Sequence, residues 1–133
     1  MRALFNRCNV WKRWVQVYQN GMKTEDYFKA RNINRIAVYG MSDIGNSFVD
    51  DLVGTGVVVA YGIDKIKGAC KCNIEMRSPY EVEDDVDMIV VTAITAFPSI
   101  YNELNAILKN RVPVVGVDEI LISLLVEKDE MEK

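Results

Sequence analysis

Ile36-Ala37-Val38-Tyr39-Gly40-Met41-Ser42-Asp43-Ile44-Gly45 is the stretch on which the fold turns. Arg35 to Tyr39 is a short apolar run broken by Gly40. Residues 44, 48, 49, 52 and 53 then place apolar side chains on one helical face as far as Val53. A strand that ends in a glycine turn and opens directly into a helix is the first half of a strand-helix-strand unit.

The pattern repeats outward from there. Val57 to Ile63, Met88 to Thr92 and Val112 to Val117 are further apolar, β-branched runs, and Asn73 to Arg77 is a weaker one that Pro79 closes off. The main runs do not alternate with polar residues, as a half-exposed strand would. They suit strands buried on both faces of a parallel sheet covered by helices. Between them, Ala96 to Lys109 sets Ile100, Leu104, Ile107 and Leu108 on one face, and Ile120 to Val126 predicts a short closing helix. The class is α/β: a Rossmann-like three-layer sandwich with a mostly parallel five-stranded sheet in the order 3-2-1-4-5.

The first thirty residues read differently. Leu4, Cys8, Trp11, Val15 and Tyr18 recur at three- and four-residue steps, predicting an amphipathic helix that stops near Asn20-Gly21. Thr24 is placed to cap a second short helix, Glu25 to Arg31. The expected organisation is a helical extension over 1–32, a nucleotide-binding domain over 33–126 and a charged tail over 127–133. Trp11, Trp14 and Tyr18 either cover the sheet of their own chain or form a homodimer face.

Composition narrows the classes of function. The chain has 133 residues, half of them hydrophobic and about a quarter charged, with a formal net charge of −3. That charge, with no basic run longer than Lys12-Arg13, gives no reason to expect nucleic acid or an anionic membrane as partner. No apolar stretch approaches the roughly 20 residues of a membrane span, and the N-terminus lacks the apolar core of a signal peptide. With three cysteines, an odd number, a reducing cytoplasmic setting is the expectation.

The turn after the first strand is the candidate site. Gly40 permits a tight turn, Gly45 a close approach of helix to sheet, and the first helical N–H groups face any bound phosphate. Ser42 stands where the dinucleotide fingerprint has glycine, and Asp43 sets a carboxylate near the phosphate position. Asp64, nineteen residues after Gly45 at the end of the second strand, is placed to accept ribose hydroxyls, which favours NAD over NADP. Thr92 and Thr95 follow the fourth strand and lie within reach of a ribose or substrate, with helix capping by Thr95 or Ser99 as the alternative. The candidate contacts are Gly40, Met41, Ser42, Asp43, Ile44, Gly45, Asp64, Lys65, Thr92 and Thr95.

Through Ile36 to Gly45, Tyr61-Gly62-Ile63-Asp64-Lys65 and Asp87 to Thr92, the chain resembles small Rossmann-like domains. These are similar to the N-terminal domains of bacterial sugar acyltransferases and of nucleotide-sugar dehydratases or epimerases in surface-polysaccharide pathways. The resemblance covers residues 33 to 122 and implies NAD or a nucleotide-sugar at Gly40, Ser42, Gly45 and Asp64, with coenzyme A as a further ligand of related sheets. No acyltransferase repeats and no separate catalytic domain follow these residues.

Catalytic patterns are sparse. The chain has no histidine, which excludes Ser-His-Asp and Cys-His arrangements. Cys70-Lys71-Cys72 has one residue between its thiols, too few for a zinc site, and reads as an edge-strand pair. Tyr61 and Lys65 share the Tyr-x-x-x-Lys spacing of short-chain dehydrogenases, but at a strand end and not on a helix. Glu81, Glu83, Asp84, Asp85 and Asp87 read as a solvated connection before the fourth strand. The expected function is a nucleotide-binding module. The alternatives are a small oxidoreductase or sugar-nucleotide-modifying subunit completed by a partner, and a non-catalytic interaction domain.

Overall fold

The computed structural model describes residues 2–65 and 74–131, with side chains described from residue 9 and to residue 130. Five strands, β1 (Arg35–Tyr39), β2 (Val58–Ile63), β3 (Glu75–Arg77), β4 (Met88–Val91) and β5 (Val114–Gly116), form one sheet in the order β3-β2-β1-β4-β5. All four pairings are parallel. Helices α1 (Arg2–Gln19), α2 (Thr24–Ala30), α3 (Asp43–Asp51), α4 (Phe97–Leu108) and α5 (Val117–Met131) cover it. The expected α/β class and strand order are present. Cys70 to Cys72 and Asn73, expected on or near the edge strand, lie outside the described residues.

Alternation along β1 and β4 divides the interior into two layers. Ile36, Val38, Met88 and Val90 face α3 and α5, together with Val10, Trp14 and Val17 of α1 and Tyr27 and Phe28 of α2. Ala37, Tyr39, Ile89 and Val91 face Ile100, Leu104 and Leu108 of α4. The two N-terminal helices therefore share the core of the sheet: Trp14 is 5% exposed and meets Phe48 edge-on at 6.1 Å. One irregularity interrupts the β1–β2 ladder, where Ile36 pairs with Val59 but Ala37 pairs with Tyr61, so Ala60 is skipped.

Several boundaries differ from expectation for local reasons. Thr24 does not cap α2. Lys23 precedes the helix, its N–H donating to Asp26 Oδ2 at 2.8 Å, while the buried Thr24 hydroxyl donates to Asp51 of α3. Val53 falls past the end of α3 and is 75% exposed. β5 runs into α5 with no loop between them, and α5 continues through the charged residues from Glu127, so these form its last turns. The N–H groups of Asn34 and Arg35 donate to Asp87, and Arg77 and Arg111 pair with Asp85 and Asp84. The acidic connection is thereby tied to the sheet.

Candidate functional site

From β1 the chain passes through the turn to α3 on one face of the sheet; from β4 it passes to α4 on the other. Such a divergence between neighbouring parallel strands opens a crevice at their carboxyl ends, where open α/β sheets bind ligands. Gly40 enters the turn with φ +99°, a conformation L-residues rarely adopt. A Cβ at Gly40 would meet Thr92 Oγ1 at 2.7 Å, and one at Gly45 would fall on the Gly40 carbonyl oxygen. The two glycines thus let α3 and the end of β4 close on the turn.

Side chains from three elements then pin it. The Thr92 hydroxyl donates to the carbonyls of Gly40 and Tyr39. Asn46 Nδ2 donates to the carbonyls of Met41 at 2.8 Å and Ser42 at 2.9 Å. Asp64 Oδ2 accepts from the Met41 N–H at 3.1 Å. Met41 is fully buried, and a Cβ at Gly62 would lie 2.9 Å from its Cγ, so Gly62 makes the room it occupies.

Beside this turn lies a cleft of about 250 Å³ lined by Tyr39, Gly40, Asp64, Lys65, Ala93, Ala96, Ser99, Ile100 and Glu103. A neighbouring cleft of about 260 Å³ shares Lys65 and Glu103 and is walled by Pro79 and the exposed Tyr80. Tyr39 Oη and Glu103 Oε1 are cut off from solvent and have no hydrogen-bond partner among the described residues. Burial, reinforced by the negative charges of Glu103 and Asp64, pushes the Tyr39 phenol up to about 12. It therefore keeps its proton at neutral pH and can donate. The wall offers two carboxylates, a phenol, a serine hydroxyl and one lysine, an arrangement suited to a ligand rich in hydroxyl or amino groups.

The structure brings Gly40, Asp64 and Lys65 together in this cleft. It does not bring the other expected contacts there. Met41 and Ile44 turn into the core, Gly45 is covered by the Gly40 carbonyl, and Thr92 is spent on the backbone of β1 and the turn. Ser42 and Asp43 are exposed at the start of α3, with no side-chain cap bond from Ser42. Thr95 is exposed in a 3-10 turn (Ile94–Ala96), and Ala96, not Thr95 or Ser99, holds the cap position of α4. Tyr61 is a core residue: its hydroxyl donates to Glu83 O and Asp85 Oδ1 and its ring carries the Arg77 guanidinium, so its spacing to Lys65 builds no catalytic pair. Among the described residues no three acidic or cysteine side chains converge as metal ligands.

Six lining residues, Tyr39, Ala93, Ala96, Ser99, Ile100 and Glu103, are not among the expected contacts, and two of them, Glu103 and Tyr39, are the most informative. Glu103 sits three residues after Ile100 and four before Ile107, within the apolar stripe of α4. A carboxylate at that position was the available signal. Tyr39 reads as one more strand residue, and nothing in its spacing marks its hydroxyl as unpartnered.

Fold and crevice together define an open parallel α/β sheet of the Rossmann-like kind. Compared with known protein families and with curated proteins, the chain matches none. The likeness to polysaccharide-pathway domains accordingly rests on the quoted residues alone.

Proposed function

We propose that this chain is a nucleotide-binding module that holds its ligand over the carboxyl edge of the sheet, nucleoside end first. The observation that carries this reading is the cleft at the β1–β4 divergence, bounded by Gly40 and Asp64. A carboxylate has about four acceptor positions. Asp64 can therefore hold the Met41 N–H and still receive a ribose hydroxyl. NAD is the first candidate, a nucleotide-sugar the second and coenzyme A the third. A cytoplasmic role beside surface-polysaccharide or sugar-nucleotide metabolism goes with that reading.

The fit is uneven along such a ligand. The nucleoside part suits the size and polarity of the cleft. Phosphates would meet the first turn of α3, where Asp43 is exposed and the Met41 N–H is already engaged. Affinity is therefore carried by the nucleoside, and any chemistry by a partner subunit that completes the site. The test is calorimetry with NAD, NADP, a nucleotide-sugar and coenzyme A on the wild type and on Asp64→Asn, which keeps an acceptor for Met41. Binding by one ligand that weakens at least about tenfold in the variant supports the reading, since bonds to charged groups are worth about 1.5–3 kcal/mol. No binding by any of the four sinks it.

A second reading is favoured by a different surface. Trp11, Val15 and Tyr18 are 39%, 53% and 45% exposed and, with Asp50 and Asp51, line an open groove of about 460 Å³. We propose this face for a homodimer. Sedimentation that stays monomeric across a wide concentration range would remove it.

A further inference from the structure

The strand order sets three parts of the carboxyl edge in a row. The turn and α3 follow β1, Asp64 follows β2, and Ser78-Pro79-Tyr80 follows β3. The Asp64 N–H donates to the Arg77 carbonyl at 3.1 Å, which ties the ends of β2 and β3 side by side. Neighbouring strands lie about 4.8 Å apart. A nucleotide with its phosphates toward α3 and its ribose at Asp64 therefore carries its base toward the end of β3. The cleft walled by Ser78, Pro79 and Tyr80 opens there, and it shares Lys65 with the cleft beside Asp64.

Tyr80 is 84% exposed, so its own chain covers almost none of the ring. A single exposed aromatic is ordinary, but the backbone under this one is fixed. Pro79 is buried and opens a 3-10 turn (Pro79–Glu81) with its φ set by the ring. The Ser78 N–H donates to Glu81 Oε1 at 2.9 Å, and the Glu81 N–H donates to the Ser78 carbonyl at 3.0 Å. The turn is thus closed on both sides of Tyr80. A tyrosine has only two side-chain rotations to lose on binding. Aromatic rings stack on the faces of bases, a contact indifferent to the donors and acceptors along the base edge. Resting on the reading of the first cleft as a nucleoside site, we propose that the second cleft is its base subsite, with Tyr80 as the stacking platform. Tyr80 sets affinity and leaves the identity of the base open.

The experiment is calorimetry on the full chain with adenosine monophosphate and guanosine monophosphate, on the wild type, Tyr80→Ala and Tyr80→Phe. Tyr80→Ala is expected to weaken adenosine monophosphate at least about fivefold, the lower end of what one base–aromatic stack yields. Tyr80→Phe keeps the ring and should stay within about twofold of the wild type. The two purine nucleotides should bind the wild type within about threefold of each other, since stacking does not read their edges. Unchanged affinity in Tyr80→Ala, or an equal loss in Tyr80→Phe, would overturn the base subsite. The nucleoside site would stand in that case if Asp64→Asn still weakens the same nucleotide. Binding of neither nucleotide, with no binding of the larger ones, would overturn both.

Discussion

A methyl group added at Gly45 would land on the Gly40 carbonyl oxygen, and one added at Gly40 would meet Thr92 and the backbone of Ala93. Neither obstacle is the flexible end of a side chain that can swing away. Gly45→Ala is expected to lower stability by roughly 1–3 kcal/mol, the usual cost of overpacking. Gly40→Ala should cost at least as much, because its φ of +99° is unfavourable for alanine as well. Gly56, with nothing near its would-be Cβ, serves as the control, and Gly56→Ala should stay within about 0.5 kcal/mol in urea denaturation. A different residue sets a pH dependence. Burial holds the Asp51 carboxyl above its ordinary value, partly offset by a hydrogen bond from the Trp14 side chain. The folded state then binds more protons than the unfolded state between the ordinary and the raised value. Stability must fall as pH rises through that acidic window. Asp51→Asn, which keeps an acceptor for Thr24, should lose that slope in melts taken across the window.

At the scale of elements, α4 stops without the residue that usually stops a helix. Lys109 and Asn110 both take left-handed conformations, with φ of 53° and 60°. Glycine avoids the steric cost of that conformation, which is roughly 1–2 kcal/mol for other L-residues, though it gives up more chain entropy. Lys109→Gly should therefore raise stability by about 0.5–1 kcal/mol, read as a higher urea midpoint with an unchanged slope. Strands were the legible elements, because runs such as Arg35 to Tyr39 and Met88 to Val91 are apolar throughout and bounded by turn residues. The ends of helices were not. Glu127 to Met131 reads as a charged tail, yet a helix already anchored by Leu121 and Leu124 extends through charged residues without penalty. Thr24 reads as a cap, but its partner Asp51 comes from another helix, and no local pattern announces such a pairing. The same limit hid most of the candidate site. Gly40 and Asp64 follow from a motif, whereas the convergence of Tyr39 with Glu103 depends on how α4 lies on the sheet.

Over the whole molecule, the N-terminal helices belong to the same interior as the sheet. Trp14, stacked on Trp11 and edge-on to Phe48, sits in one core with Val10, Val17, Phe28 and the residues of α5. Trp14→Ala should cost about 3–5 kcal/mol, the range for truncating a buried aromatic. Trp11→Ala, on the open side of the same helix, should cost under about 1 kcal/mol. Urea melts of the two variants would separate a core helix from a detachable arm, and equal losses would contradict the burial. The skipped residue in the β1–β2 ladder reaches further than its size suggests. Ala60 and Tyr61 both lean toward the α4 layer, although neighbours in a strand ordinarily point to opposite sides. That repeated beat resets the phase of everything after it, so Gly62 falls beneath Met41 and Ile63 returns to the α4 layer. Were Ala60 paired in a regular ladder instead of skipped, the parity of every later position would be inverted. The vacancy that Met41 needs would open on the wrong face, and the reach of Asp64 back to the turn depends on a count of residues as much as on their kinds.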